Sequence, residues 1–300
     1  MENYHTPVLL HNCIQALNIS GGGTYVDVTY GGGGHSHEIL KLLIDGKLIA
    51  FDQDYDAHKN NSENEKLILV KSNFRYIKSF LRMYSAIPVD GILADLGVSS
   101  HQFDTGERGF SIRFSGPLDM RMDKDAKLTA AKILMTYKEE KLVSIFSNYG
   151  ELEGSKRLAQ RIVEARENTK IKTTEQLIEL CKGMTAPQKM SQYLAQVFQA
   201  LRIEVNDELA ALKEMLQQSL EVLKPGGRLV VMSYHSLEDR LVKNFMKSGN
   251  FEGIIEKDPV FGTEKTPWNI ISRKAIIPSM DEIKNNNRAR SAKLRIAEKK

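Results

Sequence analysis

The sequence predicts an α/β fold, a Rossmann-like doubly wound sheet interrupted by an inserted helical domain. Two observations carry that prediction. Four short, apolar, β-branched segments between Thr24 and Asp95 alternate with stretches of helical length and period, the pattern by which right-handed βαβ crossovers build a parallel sheet. A fifth such segment, beginning at Arg228, arrives only after a long region of helical pattern with no convincing strand alternation. That gap is far longer than one crossover needs, so the sheet is interrupted there.

In chain order, Thr6-Pro7 followed by Val8-Leu9-Leu10 and by Ile14, Ala16 and Leu17 reads as a capped amphipathic helix with proline at its first position. Strands are expected at 24–28, 47–52, 67–71 and 91–95, with helices at 36–43, 54–61 and 76–84 between them. Residues 105–205 are expected to form the inserted helical domain, with helices near 130–137, 141–146, 155–167 and 174–182. Residues 1–104 and 206–300 then form one sheet domain. Its second part contributes a helix at 208–223, a turn at Lys224-Pro225-Gly226-Gly227, a strand at 228–234 and an antiparallel edge strand at 291–297.

Composition narrows the class. Hydrophobic residues at 41% and charged residues at 27% are globular proportions and exclude a disordered chain. No apolar run approaches the length that spans a bilayer. The start Met-Glu-Asn-Tyr-His-Thr-Pro lacks the basic and apolar regions of an export signal, which predicts a cytoplasmic protein with no membrane partner. Cys13 and Cys181, far apart, exclude a disulfide framework and a Cys-rich zinc site. The net charge of +4 is concentrated near the end, where Lys284, Arg288, Arg290, Lys293, Arg295, Lys299 and Lys300 face one acid, Glu298. Such a run is either a solvated tail or a surface for a polyanion.

The first strand, Tyr25-Val26-Asp27-Val28, runs directly into Thr29-Tyr30-Gly31-Gly32-Gly33-Gly34-His35-Ser36. In a doubly wound sheet this first strand-to-helix turn is where nucleotide-like ligands bind, because glycine lets the backbone approach closely. Asp52, ending the second strand roughly 20 residues after Gly31, has the spacing of a carboxylate that accepts from ribose hydroxyls. Nicotinamide dinucleotide and S-adenosylmethionine both suit that geometry. The dinucleotide fingerprint needs a third glycine where this chain has Ser36, and Asp27 suits a ligand ending in an ammonium group, so the balance tilts to S-adenosylmethionine. His35 and His37 lack a nearby third ligand, so no metal is expected.

Longer patterns add to this reading: Asp95-Leu96-Gly97-Val98-Ser99-Ser100, Glu107-Arg108-Gly109-Phe110-Ser111, Gly116-Pro117-Leu118-Asp119-Met120-Arg121-Met122-Asp123, and Ser233-Tyr234-His235-Ser236-Leu237-Glu238-Asp239-Arg240. With His5-Thr6-Pro7-Val8-Leu9-Leu10, Phe198-Gln199-Ala200-Leu201-Arg202-Ile203, Val205-Asn206-Asp207-Glu208-Leu209 and Arg288-Ala289-Arg290-Ser291, nearly the whole chain resembles the ribosomal RNA small subunit methyltransferase H family. The resemblance implies a class I methyltransferase fold and methyl transfer to N4 of a cytosine in the decoding region of 16S rRNA. By the same resemblance, cofactor contacts fall on Gly33, Gly34, His35, Asp52, Phe74, Asp95 and Gln102, with Gly31 in the same loop. The chain departs from the family's usual pattern at Gly32, where arginine is usual, and at Leu194-Ala195-Gln196-Val197, where Ala-Thr-Arg-Thr is usual.

The chemistry assigns roles. A cytosine amino group is a poor nucleophile, and an acceptor on its N–H localises the lone pair and stabilises the developing positive charge. Asp95, ending the fourth strand, is the expected acceptor, and His235, ending the fifth, the expected proton sink, imidazole being the side chain that exchanges protons near neutrality. Phe103, Phe110, Phe114 and Tyr234 are candidate stacking surfaces for an unpaired base. Lys156, Arg157, Arg161, Arg166, Lys170, Lys172, Arg288 and Arg290 are candidate phosphate contacts. The expected partner is 16S rRNA within the small ribosomal subunit. An NAD-dependent oxidoreductase and a non-catalytic RNA-binding module are the other classes open to this sequence.

Overall fold

The computed structural model describes residues 7–59, 64–257, 262 and 264–300. His5, the cap assigned to Thr6, and the end of the helix expected at 54–61 lie outside these residues. Two compact units emerge, one formed by residues 1–97 with 209–300 and the other by residues 98–208.

The first unit begins with α1 (Leu10–Leu17), β1 (Thr24–Asp27), α2 (Gly34–Leu42), β2 (Lys47–Asp52), α3 (Tyr55–His58), β3 (Leu67–Lys71), α4 (Ile77–Met83) and β4 (Val89–Asp95). The second unit holds α5 (Ser100–Asp104), α6 (Ala130–Thr136), α7 (Glu139–Asn148), α8 (Ser155–Asn168), α9 (Thr174–Cys181) and α10 (Met190–Asn206). The chain returns through α11 (Glu208–Val222), β5 (Leu223–Ser233) and α12 (Ser236–Ser248), and ends with β6 (Glu256–Lys257), β7 (Glu264–Lys265), β8 (Trp268–Ile270), α13 (Met280–Asn285) and β9 (Lys293–Lys299).

Seven strands form one sheet in the order β3-β2-β1-β4-β5-β9-β8. The pairs from β3 to β5 are parallel, and β9 is antiparallel to both β5 and β8. Alternate residues serve opposite faces. Val26, Ile49, Phe51, Ile92 and Val231 pack with Leu81 of α4, Leu216 of α11 and Phe245 of α12. Tyr25, Leu48, Leu93, Val230 and Met232 pack with Cys13 and Leu17 of α1 and Ile39 of α2. Helices therefore cover both faces, which explains why these strands read as unbroken apolar runs. The order reverses at β1, with β2 on one side and β4 on the other, and ligands of such sheets bind outside the carboxyl ends of the strands at that point.

Several expectations are corrected. Pro7 does not open α1; Leu9 precedes the helix in the left-handed region (φ 50°), and its N–H donates to Glu282 Oε1 at 2.7 Å. The segment Lys224-Pro225-Gly226-Gly227 lies within β5, bulging opposite Asp90 where the pairing jumps from Val89↔Leu223 to Gly91↔Arg228. The final strand is not an edge, since the three-residue β8 lies outside it. Nor is the basic end a solvated tail. Arg295 Nε and Lys293 Nζ bind the Asp239 carboxylate at 2.6 and 3.2 Å, and Lys299 Nζ donates to the carbonyls of Leu220 and Leu223. No described helix is long and apolar enough to cross a membrane.

The second unit carries its own core, in which Ile133, Leu142, Phe146, Leu158, Ile162, Leu177, Val197 and Leu201 are fully buried. Its longest helix, α10, supplies much of that core and escaped the sequence reading, whose helical patterns stop at 182.

Because β9 is an interior strand, truncating its buried Leu294 to alanine is expected to cost about 2–5 kcal/mol, as for other buried leucines. Arg290→Ala, in the same basic stretch but exposed, is expected to change stability by less than about 0.5 kcal/mol. Urea unfolding of both variants checks this; similar small losses would make the C-terminal segment dispensable.

Candidate active site

Three aspartates close neighbouring strands at the sheet's carboxyl edge: Asp27 on β1, Asp52 on β2 and Asp95 on β4. Beyond β1 the chain keeps pairing on both sides, Val28 N–H donating to Leu93 O and Tyr30 N–H to Phe51 O, each at 2.9 Å. The glycine loop is thus pulled across the gap where the strands diverge. Gly33 caps α2 at φ 77°, a conformation L side chains rarely adopt, and a Cβ there would sit 2.8 Å from the Tyr30 hydroxyl. A Cβ on Gly34 would fall 2.2 Å from Pro7 Cγ, so the segment before α1 lies directly on the loop. Gly31 (φ 53°) offers its N–H to Asp52 Oδ2 at 2.8 Å.

Asp27 does not present a free carboxylate to a ligand ammonium, as the sequence suggested. It is 1% exposed; Oδ2 accepts from Ser36 Oγ at 2.7 Å, and Oδ1 accepts from Thr29 N at 3.0 Å and Thr29 Oγ1 at 3.3 Å. Its work is to fasten the loop. The Thr29 hydroxyl in turn accepts from the backbone N–H of Asp95 at 2.7 Å.

Asp52 accepts from the N–H groups of Gly31 and Asp54, both at 2.8 Å. Burial pushes its carboxyl up to about 6 although those two backbone donors oppose the rise. Each of its oxygens retains a second acceptor direction for a hydroxyl pair. Phe74 opens a short 3-10 turn just beyond β3, half-buried against the sheet core, and the preceding Asn73 Nδ2 donates to Gln53 Oε1 at 2.8 Å.

Asp95 ends β4 on the same edge. Its carboxyl is likewise raised to about 6 by burial, against the charge of His35 and the hydroxyl of Tyr234, which donates to Oδ1 at 2.8 Å. His35, 6% exposed on the first turn of α2, has Nδ1 3.8 Å from Asp95 Oδ2 and Nε2 3.3 Å from the Val8 carbonyl. Tyr234 itself is pushed well above the usual phenol range by burial and by Asp95. Its hydroxyl is a partner of the acid.

His235 lies just beyond β5. It is the N-cap of α12, its Nδ1 accepts from Glu238 N at 3.4 Å, and its Nε2 lies 3.1 Å from Glu238 Oε1. Nδ1 thus caps a helix end, while Nε2 is buried and makes no hydrogen bond. Gln102 belongs to the other unit, where it completes a capping box with Ser99 at the start of α5. Within that unit Phe110 is a core residue, 5% exposed, while Phe114 is 43% exposed. Arg157, Arg161 and Arg166 donate to the carbonyls of Gly183, of Leu180 and Lys182, and of Leu134 and Tyr137, so these guanidinium groups tie helix ends; Lys156, Lys170 and Lys172 are exposed.

Sequence reasoning missed Thr29, the Val8 carbonyl and Glu282. Only Thr29 carried a signal, since an aspartate two residues ahead of a hydroxyl or N–H donor marks an Asx-type turn.

The chain is 57% identical over 298 residues to the ribosomal RNA small subunit methyltransferase H of Bacteroides fragilis strain YCH46, covering 99% of this chain and 98% of the relative. It is 56% identical over 297 residues to the protein of that name from Flavobacterium johnsoniae, with 99% and 98% covered. Among solved structures, an rRNA methylase from Streptococcus thermophilus aligns over 100% of this chain and 99% of its own, at 12% identity and a TM-score of 0.44. A family model spanning residues 2–300 matches without interruption through both units, and the chain belongs to the MraW methylase family.

Proposed function

We propose that the protein transfers a methyl group from S-adenosylmethionine to N4 of a cytosine in the decoding region of 16S rRNA, presented within the small ribosomal subunit. The observation that carries this reading is Asp95: a half-buried carboxylate at the switch point of the sheet, flanked by a tyrosine hydroxyl and an imidazole, in a family of methylases. Relatives of more than half identity carry the name ribosomal RNA small subunit methyltransferase H.

The residues present suit the donor. Asp52 offers acceptors for ribose hydroxyls, the Gly31–Gly34 turn admits a close backbone approach, and Phe74 supplies an apolar wall beside the same strand end. Asp27, with Ser36 and Thr29, fixes that turn. When bound, S-adenosylmethionine supplies an electrophilic methyl group. The chain's own task is alignment at near-attack distance and support of the attacking nitrogen. Asp95 accepts the amino N–H, and as positive charge builds on that nitrogen the carboxylate takes the proton, leaving the N–H pair on nitrogen. Tyr234 holds Oδ1 in place, and Oδ2, on the His35 side, is the oxygen that would accept from the amine. The helical unit, with exposed Lys156, Lys170 and Lys172 and exposed Phe114, is the RNA-reading part.

Mass spectrometry of small-subunit rRNA from a deletion strain tests the substrate. Loss of one N4-methylcytosine, restored by the wild-type gene and not by Asp95→Ala, is the expected result; an unchanged methylation pattern rejects the reading.

Asp95→Asn preserves an oxygen for Tyr234 and is expected to lower the single-turnover rate at least about a hundredfold. The wild-type rate is expected to fall as pH drops through about 6, because the acceptor must be ionised. Stability runs the other way. A carboxyl raised above its unfolded value contributes stability below that unfolded value, and the contribution is lost as pH rises through about 6. Asp95→Asn is therefore expected to be more stable than wild type at pH 7.5, by on the order of 2–3 kcal/mol, with no gain near pH 4. Chemical denaturation at the two pH values decides it.

His235→Asn retains a capping side chain and is expected to keep single-turnover activity within about threefold of wild type, whereas His235→Ala loses about 1 kcal/mol of stability. A hundredfold slower Asn variant with normal stability would return His235 to the chemistry.

A further inference from the structure

His35 sits where a loop glycine run becomes a helix, and its two nitrogens face opposite partners. Nε2 is 3.3 Å from the Val8 carbonyl, which can only accept, so Nε2 carries a proton. That leaves Nδ1 as the basic nitrogen, and Nδ1 is the atom 3.8 Å from Asp95 Oδ2. The Val8 carbonyl is itself anchored, because the next residue, Leu9, donates its N–H to Glu282 Oε1 at 2.7 Å while Pro7 rests on Gly34. The ring is enclosed at 6% exposure, so solvent does little to screen it.

We infer that His35 is the electrostatic partner of Asp95: with Nε2 held on the Val8 carbonyl, its Nδ1 edge is aimed at the carboxylate and sets how readily the amine acceptor takes a proton. The other groups around Asp95 cannot do this. Asp27 on β1 and Glu238 on α12 are acids that disfavour its charge, the Cys13 thiol on α1 is itself pushed upward by burial and by Asp95, and Tyr234 is neutral. Among these neighbours His35 is the one whose electrostatic effect favours the charged carboxylate. It acts on the reaction through Asp95 and is a positioning residue in that sense.

The inference rests on the proposed role of Asp95, but its first test does not. The side-chain carboxyl of Asp95 is titrated by NMR in the full-length protein without donor or RNA, with Asp95→Asn identifying the resonance. The wild-type midpoint is expected near 6, and His35→Gln, which can still reach the Val8 carbonyl, is expected to move it upward by roughly one unit or more. Tyr234→Phe also moves it upward and shows that the resonance reports the local environment. His35→Asn serves if the glutamine variant does not fold, with the same expected direction. A midpoint that stays within about 0.3 units in the His35 variants overturns the inference.

The second readout is the pH profile of single-turnover methyl transfer. Its acid limb is expected to move upward with the NMR midpoint in His35→Gln. A raised KM for S-adenosylmethionine with an unmoved acid limb would make His35 a cofactor contact only and overturn the inference. Wild-type protein that transfers no methyl group would sink the proposed function while leaving the carboxyl titration to be judged by itself.

Discussion

The carboxylate of Asp27 is the node from which the active-site edge is built. It is shut from solvent at the end of β1, and its donors reach two different parts of the site: Ser36 on the first turn of α2, and Thr29 in the loop. Through Ser36 it fixes the start of the helix that carries His35. Through Thr29, whose hydroxyl also accepts from the Asp95 backbone, it fixes the end of β4. One buried charge therefore sets the positions of both members of the His35–Asp95 pair. Charge-assisted hydrogen bonds are stronger than neutral ones, and here they replace the solvation that the carboxylate gives up.

Such an edge is expensive, and the sheet beneath it supplies the compensation. Asp52 and Asp95 are both raised to about 6 by burial, so at neutral pH each is ionised in a place that disfavours the charge. The strands that carry them are apolar on both faces, with Ile49, Phe51, Ile92 and Leu93 fully buried, and α1, α2, α4, α11 and α12 cover those faces. A doubly covered parallel sheet concentrates stability in its centre and can spend some at its carboxyl ends.

Much of this was legible in the sequence where a residue type and its position in a strand jointly dictate the outcome. The runs ending in Asp27, Asp52 and Asp95 fixed the strands to within a residue or two at their carboxyl ends, because an acid cannot continue a buried apolar strand. What escaped depended on partners distant in the chain. That Asp27 faces inward follows from Ser36 and Thr29 folding back over it, and no spacing rule says whether such an acid meets the protein or a ligand. Leu9 in a left-handed conformation depends on Glu282 at the far end of the sequence. The strand β9 showed its alternation, but β8, three residues long, had too few residues to display a period, so an interior strand read as an edge. His235 did carry a signal. A residue with a side-chain acceptor followed three positions later by glutamate is the pattern of a capped helix start, with histidine standing where serine or threonine is usual.

The point at which the helical unit leaves the sheet follows from the same topology. β4 and β5 are parallel neighbours, so some crossover must run from the carboxyl end of one to the amino end of the other. A single helix, α11, suffices to return the chain to β5, and residues 98–208 are added ahead of it with a separate core. The addition begins three residues after Asp95, just beyond the carboxyl end of β4. An insertion after β1 or β2 would have displaced the turns that hold Asp27 and Asp52 to their loop donors. An insertion on the amino side of the sheet would have begun at the opposite ends of the strands from all three acids. The β4–β5 crossover leaves those turns intact while starting from the carboxyl edge of the sheet, which makes it a connection that can be lengthened without disturbing the carboxylates.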